Sequence, residues 1–329
     1  MTDLGPAQEN LVGDVLSRHW RIKEPTIRTP LGVSRATWRV GKFYWLAQAE
    51  HVRFAELSRQ AKLLTQLNKY LNTESISLSI PEIIASRAGH VLVHDAGYVW
   101  CLTRHLPGFH PAVNDAGVYS ALTEGLARFH RIVRAFPKSE SLHVPDGICV
   151  RTRQTIDRLT SDAFVAFTSD PREEHILQSA AAWLLPRLDS LERLPRQIVH
   201  GDWTPRNVLF QRDDREMHLT GVLDFEEMAW DPVCVDVANT CSTLLMWSGL
   251  DRLEERIEDV VKTYEHSAGV EFEREDVHTA MLAHWFCHYW NWRDRLQSGE
   301  FGHEVKDRLC SRISSVLSYL ADGGGVPHR

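Results

Sequence analysis

Along this chain strand-type spacing of apolar positions dominates the first third and helical spacing the rest, with exceptions in each part. Before residue 103 they come in short runs bounded by turn residues, and after residue 107 they recur every three or four positions over long segments. Short runs rich in branched and aromatic residues predict strands, whereas the longer period predicts helices with one buried face. An amphipathic helix is expected over residues 6–20, with Leu11, Val15, Leu16 and His19 on one side. Strands follow on either side of a small-residue loop around Gly32 and Ser34, and again after a tight turn at Gly41 and Lys42. A helix is expected over 49–70, where Phe54, Leu57, Ala61, Leu64 and Leu67 share a face. Runs at 81–84, 91–94 and 98–103 complete a small antiparallel sheet.

Pro107 and Gly108 then punctuate the chain. Beyond them the helical period prevails over 118–133, 151–159, 170–191, 232–247, 251–267 and 274–299. The third of these segments starts with Asp170 as a cap, Pro171 at the first helical position and Glu173 and Glu174 in the first turn, and Pro186 should kink or divide the helix. One region interrupts the helices. Residues 197–199, 208–210 and 219–225 are short branched runs that predict buried strands, with a hairpin turn over 211–217. The fold class is therefore α+β. Two lobes are expected: residues 1–105, a β-rich sheet with a helix, and residues 106–329, larger and mainly helical.

The interrupting stretch, residues 198–236, also concentrates the chemistry. It places His200, Asp202, Asn207 and Asp224 on loops at the ends of apolar runs. A hairpin there would bring Asn207 and Asp224 together, with Asp202 five residues before Asn207 at its mouth. A few carboxylate and amide oxygens suit Mg²⁺, which completes its shell with water and substrate phosphates. A further carboxylate outside the metal shell can accept a proton from an attacking hydroxyl, and Asp202 fits that role. Acidic residues that merely cap turns are a weaker account, because unpaired polar groups beside apolar runs are costly.

The order of Asp202, Asn207 and Asp224 is that of the protein-kinase catalytic loop and its metal-binding aspartate. With His200, Gly201, Leu223, Phe225, Asp231, Pro232 and Asp236, it resembles the signature of the aminoglycoside phosphotransferase and choline kinase-like family. The resemblance implies a protein-kinase-like two-lobe fold and a small-molecule O-phosphotransferase using Mg²⁺ and ATP or GTP. It implies Asp202 as the catalytic base, His200 beside it as the residue shaping the catalytic loop, Asn207 and Asp224 as metal ligands, and Asp236 as a supporting carboxylate. It also implies nucleotide contacts from the loop at Ser34 and Arg35 and from the hinge at Thr103, Arg104 and His105. The chain departs from the family in the small lobe. Where relatives carry a paired Lys (or Arg) and Glu, this sequence has Ala47 or Gln48 and Gln60. Lys42, Arg39 and Arg53 are the cations that could replace the phosphate contact.

Acceptor residues are expected on two elements. Glu226, Glu227 and Asp231 would form an acidic rim favouring a cationic acceptor, and Trp285 and Tyr289 belong to a helix with aromatic residues on nearly every side. Stacking on a sugar or enclosing a cation would both suit such residues. An antibiotic such as an aminoglycoside, an amino alcohol such as choline, homoserine and a sugar all remain open as acceptors. A kinase-like protein that binds nucleotide without transfer is the competing reading.

Charge and cysteine usage narrow the partners. The 329 residues carry a formal charge of −7, which argues against a nucleic acid or an anionic membrane surface and for a small-molecule partner. The six cysteines have no CxxC spacing and lie mostly in apolar runs, as expected in a reducing cytoplasm. The first ten residues lack a signal-peptide pattern, and no apolar run reaches membrane-spanning length. A cytoplasmic enzyme is expected, and the pattern prescribes no oligomeric state.

Overall fold

Two tight turns organise the small sheet. Gly41 (φ +53°) makes the turn between β2 (Ala36–Val40) and β3 (Tyr44–Glu50), and its N–H donates to Pro25 O at 2.9 Å, tying the turn to the strand before β2. Ala96 and Gly97, both with positive φ, form the two-residue connection from β4 (Val93–Asp95) to β5 (Tyr98–Arg104), the geometry that matches the natural twist of a hairpin. With β1 (Thr26–Thr29), these strands make a five-stranded antiparallel sheet in the order β1-β2-β3-β5-β4. The structure is a computed structural model that describes residues 6–29, 36–112, 117–136, 144–159, 170–213, 216–248, 253–297 and 303–321. Ser34, Arg35 and the 323–329 tail lie outside the described residues.

Two helices cover the sheet. Helix α1 (Pro6–Trp20) lays Val12, Val15, Leu16 and Trp20 against Trp38, Val40, Leu46, Trp100 and Leu102. Trp20 Nε1 also donates to Ile84 O at 2.9 Å. Helix α2 (Phe54–Thr73) puts Leu57 and Ala61 against Ala49 and Val99, and its Leu63, Leu64, Leu67 and Leu71 join the core of the larger lobe. This helix therefore ties the lobes together.

Two expectations in this region are corrected. The helix begins at Phe54 after a 3₁₀ turn, because β3 runs on to Glu50, paired with β5 from Tyr44↔Arg104 to Glu50↔Tyr98. Ladder pairing outweighs the weak strand preference of Ala47, Gln48 and Glu50. Residues 81–84 do not form a strand. The free edge of β5 is shared between β4 and this segment, which leaves only the bridge Ile83↔Thr103 and two flanking hydrogen bonds.

The larger lobe is built from α3 (Val118–Ala135), α4 (Ile148–Leu159), α5 (Pro171–Leu184), α6 (Leu188–Arg193), α7 (Cys234–Ser248), α8 (Leu253–Ala268), α9 (Arg274–Gln297) and α10 (His303–Ala321). Asp170 caps α5 by accepting Arg172 N–H at 2.9 Å, with Pro171 at the first turn. Pro186 lies in the break between α5 and α6, as its missing N–H requires. Helix α10 has no counterpart among the expected elements. Helix α9 packs against α4, α5, α6, α7 and α10, so Met281, Leu282, Ala283, Phe286 and Cys287 are buried on several of its sides. Apolar residues all round are what a central helix requires, and this accounts for most of its aromatics.

Two ribbons carry the central stretch. The hairpin β7 (Val208–Asp213) and β8 (Glu216–Val222) pairs from Val208↔Val222 outward, and its strands reach further into the expected turn than the apolar runs do. Strand β6 (Arg196–Val199) pairs antiparallel with β9 (Ala229–Pro232). Residues 229–232 are thus a strand, and the helix expected from 232 begins at Cys234. No helix among the described residues is long and apolar enough to cross a membrane.

Candidate active site

The loop after β6 is held by one buried carboxylate. Asp236, fully enclosed at the start of α7, accepts the His200 N–H at 2.7 Å through Oδ2 and the Gly201 N–H at 2.8 Å through Oδ1. His130 on α3 approaches Oδ2 with Nε2 at 2.9 Å, and its Nδ1 lies 2.6 Å from the Tyr264 hydroxyl. The consistent assignment has Nε2–H donating to the carboxylate and Tyr264 O–H donating to Nδ1. A carboxylate with three donors is a strong anchor in a dry interior. Gly201 (φ +81°) is needed here, because a Cβ would stand 2.1 Å from Glu227 O. The turn is pressed against the loop that follows Asp224.

His200 connects the same two loops. Its buried ring donates from Nε2 to Leu223 O at 2.7 Å, which leaves Nδ1 to accept the Asp202 N–H at 3.3 Å. Burial holds the imidazole below its ordinary value despite Asp236, so the ring is neutral. With both nitrogens engaged, His200 shapes the loop and does not face it with a reactive atom. Leu223 N–H donates in turn to Asn207 O at 2.8 Å, and Asn239 Nδ2 donates to Gly201 O at 2.9 Å.

Three polar side chains converge beyond this scaffold. Asn207 donates from Nδ2 to both Asp202 O at 2.9 Å and Asp202 Oδ2 at 2.7 Å. The amide orients the carboxylate, and its own Oδ1 remains as an acceptor. Asp224 sits at φ 55°, ψ 71°, a left-handed conformation that is costly for a non-glycine residue and recurs at functional loops. Burial, then the Asp224 and Glu227 carboxylates, push Asp202 up to about 7. The half-buried Asp202 and the exposed Asp224 stand within electrostatic reach of each other, an arrangement that favours a bound cation or a shared proton.

The small-lobe side holds a different ion pair from the one expected. Gln48 is buried in β3, but α2 does supply a carboxylate, Glu56, one turn before Gln60. Arg53, just before α2, bonds Glu56 at 2.7 Å and also reaches Glu226 Oε2 at 3.1 Å. A cation and a carboxylate are therefore present at the start of α2 and are linked to the residue two after Asp224. Should Arg53 be the cation that replaces the expected phosphate contact, Arg53→Met would raise the KM for nucleotide in steady-state assays, and an unchanged KM would assign that contact elsewhere. Melting temperature should hardly change, since partly exposed pairs of this kind contribute about 1 kcal/mol or less. At the hinge, Thr103 lies in β5 and Arg104 pairs with Glu82 at 2.5 Å. His105 Nδ1 receives Arg39 at 2.6 Å and Trp45 Nε1 at 3.1 Å, so Arg39 is committed to the hinge. Burial and Arg39 together hold His105 below its ordinary value.

The expected acidic rim is not one. Glu226 pairs with Arg53, and Glu227 pairs with Arg151 of α4 at 3.0 Å. Burial pushes the Glu227 carboxyl up, but His288 and Arg151 outweigh it and hold it below the ordinary value. Asp231 is fully buried, where its Oδ2 accepts the Ile148 N–H at 2.5 Å at the start of α4. A Cβ at Gly147 would fall 2.1 Å from Asp231 Cγ, so that carboxylate is enclosed on the α4 side. Tyr289 is buried, with its hydroxyl on Glu173 of α5. Trp285 is only partly covered, with Arg312 of α10 over its ring at 4.4 Å. Arg151 and Arg312 escaped sequence reasoning because each lies far along the chain from the motif and neither belongs to a motif of its own, whereas His130, expected as a core histidine, is one and anchors Asp236.

The chain matches the model of the phosphotransferase enzyme family over residues 27–275. No curated protein matches the sequence. Among solved structures, it resembles an aminoglycoside 2'-phosphotransferase-IIIa in its GDP complex, at 15% identity and TM-score 0.67, covering 95% of this chain and 99% of that one. An amicoumacin kinase in complex with AMP-PNP, Ca²⁺ and Ami shares 12% identity at TM-score 0.67, covering 94% of this chain and 93% of that one. A microcompartment-associated aminopropanol kinase shares 13% identity at TM-score 0.66, covering 96% and 98%. The shared architecture is the kinase-like fold, with a five-stranded small lobe and a larger helical lobe.

Proposed function

Because the chain belongs to the phosphotransferase enzyme family, and is thus a small-molecule kinase, we propose that it moves the terminal phosphate of ATP or GTP onto an acceptor hydroxyl at Asp202. The observation that carries this reading is the convergence of Asp202, Asn207 and Asp224 on loops tied together through Asp236, His200 and Leu223. We place the lobe boundary between residues 105 and 106, with the nucleotide held between the lobes.

Among the described residues no group of three His, Cys, Asp or Glu side chains is arranged to hold a metal. The protein's donors for Mg²⁺ would be Asn207 Oδ1 and the Asp224 carboxylate, a small oxygen set that suits an ion shared with phosphates. The electrostatic proximity of Asp202 and Asp224 fits a cation at this place. When bound, the ion neutralises the terminal phosphates. The chain's own residues then orient and receive. Asp202, aligned by Asn207 Nδ2, accepts a hydrogen bond from the acceptor hydroxyl and takes its proton as the oxygen attacks the terminal phosphorus. The diphosphate nucleotide leaves as the bond to its bridging oxygen breaks. Positioning and charge neutralisation supply most of the acceleration.

The test is a panel of hydroxylated compounds incubated with each nucleotide and Mg²⁺. Aminoglycosides, amicoumacin-like compounds and amino alcohols are natural members, since the neighbouring structures include kinases of those names. We expect acceptor-dependent release of ADP or GDP that stops in EDTA. Transfer that continues undiminished without a divalent ion would contradict the assignment.

A further inference from the structure

Three arginines near Asp202, on or beside α2, α4 and α10, differ in how they are paired. Arg53 and Arg151 are each paired with an acid, Glu226 and Glu227 respectively. Arg312 is not. Its guanidinium stacks over Trp285 at 4.4 Å, partly buried, and among the described residues it forms no hydrogen bond or ion pair. It lies within electrostatic reach of Asp202 and Arg206, with Arg308 one turn earlier on α10. Burial first, and then the two neighbouring arginines, hold it below its ordinary value, the direction expected for a cation without a counter-ion.

The neighbouring groups share this lack. Among the described residues, Trp285 Nε1 and Arg151 Nε are buried and have no acceptor. Both can only donate. Buried donors without partners are costly, and a cluster of them around an unpaired guanidinium matches a ligand rich in acceptor oxygens. The stacked indole also fixes the plane of the Arg312 fork, which suits two parallel bonds to a carboxylate or phosphate. A polycationic acceptor would meet like charges from Arg308 and Arg312, while Glu226 and Glu227, expected to attract it, are already paired.

We propose that the acceptor is an anion, a hydroxylated small molecule whose carboxylate or phosphate group is held by Arg312 on Trp285 while its hydroxyl reaches Asp202. This rests on the phosphotransferase reading of the Asp202 site. It narrows the acceptor class from the amino alcohols and aminoglycosides of the structural neighbours to hydroxy acids and phosphorylated alcohols.

Binding calorimetry on the full chain tests it, with Mg²⁺ and AMP-PNP or GMP-PNP present at saturation so that the nucleotide's own phosphates are already seated. Two matched sets serve as probes. One is 3-phenyllactate, its methyl ester and phenylalaninol, and the other is glycerol 3-phosphate and glycerol. We expect the anionic member of at least one set to bind at least tenfold more tightly than its neutral or cationic counterparts, and the responding set identifies carboxylate or phosphate. Arg312→Met should erase that preference. Arg312→Lys, which keeps the charge and loses the fork, should retain part of it and guards against a folding defect. Equal or tighter binding of the neutral or cationic probes, absence of any preference, or a preference that survives Arg312→Met overturns the proposal. Binding of the nucleotide analogue is measured first and reports on the phosphotransferase reading separately. If Arg312→Met abolishes that binding instead, the arginine serves the nucleotide and the proposal fails.

Discussion

Asp202→Asn is expected to lower the transfer rate about 10³-fold while making the metal-free, nucleotide-free protein more stable at pH 8 by about 2 kcal/mol. Both effects have one origin. Burial and the Asp224 and Glu227 carboxylates raise Asp202 from its ordinary 3.8 to about 7. The folded protein therefore favours protonated Asp202 more than the unfolded chain does. That contribution is fully present below the unfolded value, declines as pH rises from about 4, and is lost once pH passes about 7. Above that point the wild type holds an ionised carboxylate against two others. A displacement of this size corresponds to about 4 kcal/mol, and solvent at the open side of the site reduces it to about 2 kcal/mol. Asparagine keeps the shape and still offers an oxygen to Asn207 Nδ2, but carries no charge and cannot take a proton. Thermal melts in EDTA should show the variant's advantage at pH 8 shrinking towards pH 4.5. A variant less stable than wild type at pH 8 would mean that Asp202 is not strained by its neighbours.

Asp236→Ala should have the opposite character. It removes the acceptor for His200 N–H, Gly201 N–H and the His130 ring in one step. Each lies in a fully enclosed part of the lobe, so water cannot replace the carboxylate without opening the structure. We expect a loss of about 3–5 kcal/mol, with activity falling because the Asp202 loop loses its anchor. Chemical denaturation measures the first. Amide exchange at Gly201, faster in the variant than global unfolding explains, would localise the defect to the loop. A variant with wild-type stability would show that the His130, Tyr264 and Asp236 chain is not the scaffold proposed.

These two substitutions also separate what was legible in the sequence from what was not. The turn at Gly41, the Asp170 cap, the Pro186 break and the hairpin ahead of Asp224 each depend on residues within a few positions, and local pattern sufficed. The motif from His200 to Asp224 was legible for the same reason, and the structure brings Asp202, Asn207 and Asp224 together. What escaped depends on distant partners. His130 reads as a core histidine and is one, but its partner Asp236 lies 106 residues away, which no local pattern reveals. The Arg53 and Glu56 pair lies elsewhere than the family pattern placed it: Glu56 is one turn before Gln60 on α2, and Arg53 stands in the turn after β3 and not within that strand. Glu226, Glu227 and Asp231 looked like an acidic rim because the arginine and helix terminus that engage them come from α2, α4 and the segments before them. Tyr289 looked accessible until α5 was found packed over it through Glu173. Charge in the sequence could be counted, but its pairing required the fold.

The central claim is that Asp202, aligned by Asn207 beside Asp224, receives the acceptor proton during phosphoryl transfer. Its most direct test is single-turnover transfer by wild type and Asp202→Asn, each saturated with Mg²⁺ and nucleotide and mixed with the same acceptor from the panel. The account predicts equal nucleotide binding and a rate constant about 10³-fold lower in the variant. Wild-type transfer by a folded, nucleotide-bound Asp202→Asn protein would contradict it.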